Sequence, residues 1–149
     1  QVKMLGYLRC AKEAYPHMEA KGWGRIVNID GLATRQAAGV SGGMRNAAVM
    51  NATKVLSEEL GPKGITVNAV HPGATKTEAL APRLAGQMER TGKTLEEVEA
   101  DMAAGLAIRR LVTAPDIANV VTFLCSEQAG AVTGESISAA GGGNKAVFY

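Results

Sequence analysis

The sequence predicts an α/β protein built around a parallel sheet. Two β-branched stretches, within residues 26–30 and 65–70, flank a glycine-rich connection and a long amphipathic stretch. A strand, a helix and a second strand in this order, with a crossover of this length, form a parallel βαβ unit. Reactive groups of such units lie at the carboxyl ends of the strands, here Asp30 and the segment 71–77.

Composition is that of an ordinary single globular domain. The 149 residues are 46% hydrophobic and 20% charged, with a net charge of +2. Basic and acidic residues are interspersed, which argues against nucleic acid or an anionic membrane as a partner. The sequence has no apolar run of about 18 residues, so it predicts no transmembrane helix. Cys10 and Cys125 have no metal-ligand spacing, so we expect reduced thiols, no metal site and a cytoplasmic location.

The first half of the chain alternates helix and strand. Residues 1–21 have helical apolar spacing and end at Gly22, before the strand at 26–30. Residues 31–43 are mostly small or polar and predict a loop. A helix is expected from Met44 or Arg45 to Leu60, where the sequence GPKG gives a C-terminal stop.

The second half predicts shorter elements. Residues 77–87 favour a short helix, and Thr94 with Glu97 forms a capping-box pattern for a helix that ends near residue 104. Ala114 opens a last helix that stops near Ser126, and residues 132–138 predict a short strand. A triple glycine at 141–143 then leads into an apolar tail at 146–149.

Four sequence blocks occur in a fixed order along the chain. They are GRIVNI from Gly24, AAV with TK and EL between residues 47 and 60, VNAVHPG from Val67, and FLCS with VTGE and GG between residues 123 and 142. Together they resemble the C-terminal half of the short-chain dehydrogenase/reductase family over essentially the whole chain.

The resemblance implies a Rossmann-type doubly wound parallel sheet, of which this chain supplies the last three strands and their helices. Residues 1–149 would then form one partial domain without the N-terminal dinucleotide-binding half. The chain has no glycine-rich turn between a strand and a helix, and it begins at Gln1 with helical spacing. We therefore expect it to be a fragment, or the ordered part, of a longer protein.

The family's catalytic set is a Tyr-x-x-x-Lys pair with a serine and an asparagine. A lysine cation beside a tyrosine lowers the phenol pKa, so that the tyrosine can exchange a proton near neutral pH. The resemblance places the lysine position at Asn46, the tyrosine at Gly42, the serine at Gly31 and the asparagine at Lys3. All four differ from the family pattern, which predicts an atypical active site.

Other residues are candidates to replace the missing set. Ser41 and Arg45 have the Tyr-x-x-x-Arg spacing with serine in place of tyrosine. Cofactor-free relatives such as the halohydrin dehalogenases use a Ser-Tyr-Arg set on this fold, and this match requires a one-residue shift and still lacks the tyrosine. The alternative is that Ser41 caps the helix and Arg45 is solvated. Asp30 is a candidate general base or a carboxylate bound to backbone amides, and His71 is a candidate acid or a structural histidine. Asp30 and His71 would form an acid–base pair if their side chains converge.

The turn after the second strand matches the family more closely. In the family the equivalent turn binds a nicotinamide cofactor, NAD or NADP, which the resemblance carries to Pro72, Gly73, Thr75 and Thr77. Backbone groups at Thr75 would meet the nicotinamide carboxamide, and the Thr77 hydroxyl would reach the phosphates. The same residues are also compatible with a strand-ending turn followed by a helix N-cap.

Three functions stay open from the sequence. The first is an NAD(P)-dependent oxidoreductase that transfers hydride to or from a small carbonyl or alcohol substrate. The second is a catalytically silent relative that serves as a binding or assembly subunit. The third is a cofactor-free enzyme that uses Asp30, His71, Ser41 or Arg45. The resemblance implies a homo-oligomer, a dimer or tetramer, under any of them.

Overall fold

The computed structural model describes residues 2–34 and 39–143. Within them, helices and strands alternate along the chain in this order: α1 (Val2–Glu19), β1 (Gly24–Ile29), α2 (Val40–Leu60), β2 (Ile65–Pro72), β3 (Thr75–Lys76), α3 (Ala81–Thr91), α4 (Leu95–Ala104), β4 (Val112–Thr113), α5 (Ala114–Cys125) and β5 (Ser136–Ala139). In this part of the chain, no helix has the length and apolar character needed to cross a membrane.

The three longer strands form one parallel sheet in the order β1-β2-β5. This confirms the predicted α/β class and the parallel βαβ unit. The register pairs Ile29 with Val70 and Val70 with Ile137, so the carboxyl ends of all three strands lie at one edge of the sheet. A second, two-stranded parallel sheet joins β3 to β4, and the sequence analysis had not predicted it.

The central strand β2 is buried along almost its whole length. Val67 packs with Leu60 and Ile65 on the side of α1 and α2, whereas Val70 packs with Leu124 of α5 on the opposite face. Helices on both faces explain the nearly continuous apolar character of the strand. A third apolar cluster joins α3 to α4 and the segment before β4.

Helix α2 begins at Val40, earlier than the expected start at Met44 or Arg45. The residue before its first turn is Gly39, which makes no side-chain cap, so the expectation that Ser41 caps this helix is wrong. Gly43 donates its backbone N–H to the Gly39 carbonyl, a helical hydrogen bond. Paired glycines lower helix propensity, yet they are tolerated here in the first turn.

Strand β5 begins at Ser136, so the expected start at residue 132 is also wrong. The buried side chain of Asn68 makes two hydrogen bonds to the segment before this strand. Its Nδ2 donates to the Val132 carbonyl at 2.8 Å, and its Oδ1 accepts from the Glu135 N–H at 3.1 Å. The segment before β5 is therefore joined to β2 by a side chain as well as by backbone hydrogen bonds such as that from the Gly134 N–H to the Val67 carbonyl.

Two predicted helix ends are confirmed, the start of α4 and the end of α2, and each depends on residues close by in sequence. Thr94 and Glu97 form the capping box of α4. After α2, Gly64 adopts φ +76°, and a Cβ there would collide with the Gly22 carbonyl. This close approach and the left-handed backbone together require glycine.

We predict that Asn68→Ala lowers the free energy of unfolding by about 2 kcal/mol, because it removes a fully buried side chain and leaves the part-buried Val132 carbonyl and the Glu135 N–H without their partner. Chemical denaturation of the variant and the natural protein measures this change. Asn51→Ala, an exposed position on α2, is the matched control and is expected to change stability by less than about 0.5 kcal/mol. Equal effects at the two positions would contradict this role of Asn68.

Candidate active site

The carboxyl ends of β1 and β2 bring two ionisable side chains together. Asp30 follows β1, and its N–H donates to the Val70 carbonyl at 2.8 Å, which extends the ladder by one residue. Its side chain is therefore placed beside that of His71 on β2. Asp30 Oδ2 lies 3.9 Å from His71 Nδ1, and both side chains are fully buried. The two side chains converge, but a separation of 3.9 Å is beyond hydrogen-bond distance, so the acid–base pair stays a prediction.

A lysine from α1 reaches the same carboxylate. Lys3 Nζ donates to Asp30 Oδ1 at 2.8 Å, so the two carboxylate oxygens face different partners. The Lys3 side chain stays 27% exposed while that of Asp30 is fully buried. The ammonium group is thus held by a buried charge yet open to a ligand.

Asn46 on α2 completes the cluster. Its Oδ1 accepts a second hydrogen bond from Lys3 Nζ at 3.1 Å, and its Nδ2 donates to the Gly31 carbonyl at 3.2 Å. An ammonium has three N–H groups, and the described part of the chain occupies two of them. Among residues 2–34 and 39–143, one N–H of Lys3 has no partner, and it could donate to an oxygen of a bound molecule.

Gly31 provides the space that Asn46 needs. A Cβ at residue 31 would lie 3.0 Å from Asn46 Nδ2, which is tighter than ordinary van der Waals contact. A serine there, as in the family pattern, would therefore crowd the Asn46 amide. At Gly42 a Cβ would meet nothing nearer than Ala33 Cβ at 3.9 Å, so that position has room for a side chain.

His71 also contacts two neighbours through its other ring nitrogen. Nε2 lies within hydrogen-bond distance of Ser136 Oγ on β5 and 3.0 Å from Met50 Sδ on α2. The imidazole therefore lies between the Asp30 carboxylate and the Ser136 hydroxyl, under α2.

Tyr7 is the tyrosine that comes nearest to the cluster among the described residues. Its hydroxyl donates to the Ile29 carbonyl at 2.7 Å. Burial, and then the charge of Asp30, raise the pKa of Tyr7 above its ordinary value of 10.0. A raised pKa keeps the phenol protonated, so Tyr7 is a poor substitute for a tyrosine whose pKa must fall.

Ser41 and Arg45 lie elsewhere on α2. Both are exposed, and they line a surface depression with Met4, Leu5 and Met44. Among the described residues, neither has a hydrogen bond to Asp30 or Asn46. The structure thus brings Asp30, Asn46 and His71 together and places Ser41 and Arg45 apart from them. The catalytic role of all five residues stays a prediction.

The turn predicted to hold a cofactor follows β2 directly. Pro72 ends the strand, and a Cβ on Gly73 would lie 2.8 Å from that of Ala140, so glycine is needed for packing there. The Thr75 hydroxyl donates to the Gly73 carbonyl at 3.1 Å. Thr77 is exposed and makes no cap hydrogen bond with its side chain, which leaves its hydroxyl suited to a phosphate oxygen. This donor set fits part of a nicotinamide dinucleotide.

Two residues of the cluster were not among the sequence candidates. Lys3 had been assigned only as the position of the family's asparagine, and Ser136 had been placed inside a longer strand. The signal for Lys3 was the reciprocal exchange: lysine stands at the asparagine position and asparagine, as Asn46, at the lysine position. No comparable signal marked Ser136.

Comparison with known proteins identifies the family to which the chain belongs. Residues 1–144 match the family model described as enoyl-(acyl carrier protein) reductase. The chain belongs to the short-chain dehydrogenase/reductase family, as the sequence blocks predicted, and it matches the Rossmann folds of that family.

Individual relatives are reductases. The chain is 33% identical over 147 residues to the NADPH-dependent reductase BacG of Bacillus subtilis (strain 168). This match covers 97% of this chain and 57% of BacG. It is 34% identical to the short-chain reductase protein NovJ of Streptomyces niveus, over 95% of this chain and 53% of NovJ. The chain thus spans about half the length of these relatives.

Solved structures give the same result. YwfH, an NADPH-dependent reductase involved in bacilysin biosynthesis, superposes with a TM-score of 0.89 at 33% identity, covering 97% of this chain and 56% of YwfH. L-sorbose reductase from Gluconobacter frateurii, complexed with NADPH and L-sorbose, superposes with a TM-score of 0.85 at 26% identity, covering 94% and 54%. The family therefore supports NAD(P) as the cofactor class.

We predict that Lys3→Met lowers the free energy of unfolding by about 2 kcal/mol, because the buried Asp30 carboxylate loses its cation while Lys3 itself is partly exposed. Adding Asp30→Asn to this variant should recover most of the lost stability, because residue 30 then carries no buried charge that needs a cation. Denaturation of the single and double variants gives the coupling between the two residues. Lys12→Met, exposed on α1, is the control.

Proposed function

We propose that this chain forms part of an NAD(P)-dependent oxidoreductase that acts on a small carbonyl or alcohol, in which Lys3, at the family's asparagine position, takes over the acid role of the family's tyrosine. The observation that carries the proposal is the position of Lys3 Nζ, which bridges Asp30 and Asn46 at the carboxyl ends of the strands. Membership of a family of reductases supports the reaction class.

Lys3 would bind the reacting oxygen of the substrate. Its remaining N–H points a full positive charge at a carbonyl oxygen, which becomes an alkoxide when the carbonyl carbon accepts a hydride. An alkoxide is far more basic than an amine, so it takes a proton from the ammonium group. Asp30 and Asn46 fix the ammonium beforehand, so no reorganisation is needed during the reaction.

The turn after β2 would hold the cofactor. A bound nicotinamide dinucleotide supplies hydride chemistry. The exposed Thr77 hydroxyl would donate to a phosphate, and the backbone around Thr75 would meet the nicotinamide end. YwfH, which is NADPH-dependent, and L-sorbose reductase, which was solved with NADPH, support this cofactor class. We keep both NAD and NADP as candidates.

Binding and turnover test the proposal on the natural protein. Fluorescence titration with NADPH and NADH is expected to show saturable binding, and absorbance of the reduced nicotinamide should fall when a panel of small aldehydes and ketones is added. Failure to bind either nucleotide would overturn the oxidoreductase proposal.

Substitution of Lys3 separates charge from proton transfer. We predict that Lys3→Met lowers kcat/KM by about 100-fold, because a positioned acid contributes on that order or more. Lys3→Arg keeps the positive charge, but a guanidinium does not release its proton, so kcat should fall while KM changes little. Lys12→Met is again the control. Unchanged kinetics in Lys3→Met would exclude this residue as the acid.

A catalytically silent relative is the second candidate. It is favoured by the glycines at the serine and tyrosine positions, Gly31 and Gly42, which have no side-chain proton to give. If the natural protein binds NADPH but reduces no substrate, Gly42→Tyr with Asn46→Lys would rebuild the Tyr-x-x-x-Lys pair. We predict that the rebuilt variant gains carbonyl reductase activity only if the rest of the site is intact.

Under either candidate we propose a homo-oligomer, as the family resemblance implies, and a cytoplasmic location, which the two unpaired cysteines favour. Sedimentation of the natural protein tests the oligomeric state. A monomer at micromolar concentration would contradict this part of the proposal.

A further inference from the structure

Helices α3 and α4 form a unit with an apolar core of its own. The cluster that joins them to the segment before β4 consists of Leu80, Leu84, Val98, Leu106 and Leu111. The other two apolar clusters of the described residues lie on the faces of the three-stranded sheet. Residues 78–111, here called the α3–α4 unit, can therefore shift against that sheet without opening the apolar cores.

Both ends of the α3–α4 unit meet at the two-stranded sheet. The chain enters the unit after β3 and leaves it through β4, and the parallel register pairs Lys76 with Thr113. The end at β4 is fixed to α5, because the Arg110 guanidinium donates two hydrogen bonds to the Asp116 carboxylate, at 2.6 and 2.9 Å. Movement of the unit is therefore expected in the helices between its two ends.

Strand β3 makes contacts on both of its sides. Side chains of an extended chain alternate between opposite sides, and Thr77 continues the extended backbone of β3 with φ −139° and ψ 166°. Thr75 and Thr77, which we assign to the nucleotide, therefore lie on one side and Lys76 on the other. There, Lys76 Nζ donates to Glu99 Oε2 of α4 at 2.7 Å.

This ion pair is too exposed to contribute much to overall stability. The Lys76 side chain is 57% exposed and that of Glu99 is 22% exposed. Solvent screens such a pair, and holding two long side chains in one geometry costs conformational entropy. The entropic cost falls when the backbone of β3 is already fixed, and a nucleotide bound to Thr75 and Thr77 would fix it. Occupation of the turn therefore strengthens the pair.

We propose that the Lys76–Glu99 ion pair couples nucleotide binding at the turn after β2 to the position of α4. The pair holds α4 against β3 when the turn is occupied and lets it move when the turn is empty. Lys76 and Glu99 are thus positioning residues that do not touch the reacting atoms. This inference deepens the proposed function and rests on it, because it requires a nucleotide at the turn.

The surroundings of the pair favour this role. An open depression separates part of α4 from the segment before β4, and both residues of the pair line it. Two arginines that also line it donate elsewhere, to the Asp116 carboxylate and the Ala104 carbonyl. In the part of the chain that the structure describes, the ion pair of Glu99 is formed with Lys76. The helix thus has space to move and this ion pair to restrain it.

Hydrogen exchange tests the coupling on the natural protein, with NADPH or NADH at the saturating concentration found by the titration above. Mass spectrometry follows the backbone amides of α4, which exchange when the helix opens locally. Bound nucleotide is expected to slow their exchange by about fivefold, at the lower end of the usual range for coupled sites. Glu99→Gln removes the charge and keeps the size of the side chain, so saturating nucleotide should then slow exchange by less than about twofold.

Asp101→Asn is the matched control. Asp101 also lies on α4 and also pairs with a lysine, Lys93, whose Nζ is 2.5 Å from Oδ2, but both of these residues belong to the α3–α4 unit. Protection by nucleotide should therefore be unchanged in this variant. Lys76→Glu combined with Glu99→Lys reverses the direction of the ion pair and should restore the protection that Glu99→Gln loses.

Binding gives a second measurement, because coupling between two sites is reciprocal. Glu99→Gln should weaken nucleotide binding by about threefold, whereas Asp101→Asn should leave it unchanged. Equal protection of α4 in Glu99→Gln and the natural protein would overturn the coupling and leave the proposed function standing. Nucleotide that binds the natural protein without slowing exchange in α4 would do the same. If neither nucleotide binds, the proposed function and this inference are both wrong.

Discussion

The parallel register between β1 and β2 is the constraint on which the site depends. Pairing of Ile29 with Val70 brings the next residues, Asp30 and His71, side by side at the carboxyl edge. A shift of one residue would turn one of these side chains to the face that α5 covers. The buried Asn28–Thr53 hydrogen bond of 2.9 Å ties β1 to α2 and helps to hold this arrangement.

Much of the fold follows from short-range signals in the sequence. The strands at 26–30 and 65–70, the stop at Gly64 and the capping box at Thr94 depend on neighbouring residues, and each was predicted. The start of α2 was missed because two glycines outweighed the helical pattern around them. The start of β5 was missed because the interaction that delays it comes from Asn68, far away in sequence.

The candidate site likewise contains residues that the sequence predicted and residues that it did not. Convergence of Asp30 and His71 was foreseeable, because parallel strands end at one edge. The contact from Lys3 was not, because it depends on how α1 lies across the sheet, which no local pattern encodes. Ser136 was hidden by the same strand boundary that was wrong. The groups at the strand ends, Asp30 and His71, were therefore predictable from the sequence. Lys3 and Ser136 were not, because their contacts depend on how the elements pack.

The space at Gly31 bears on how such a site changes over evolution. A serine at this position would meet the amide of Asn46, and that amide also holds Lys3. Gly31→Ser therefore requires that amide to move, and the amide is a hydrogen-bond partner of Lys3. A return of the family's serine is thereby coupled to the Lys3–Asn46 exchange, whereas position 42 has room for a side chain.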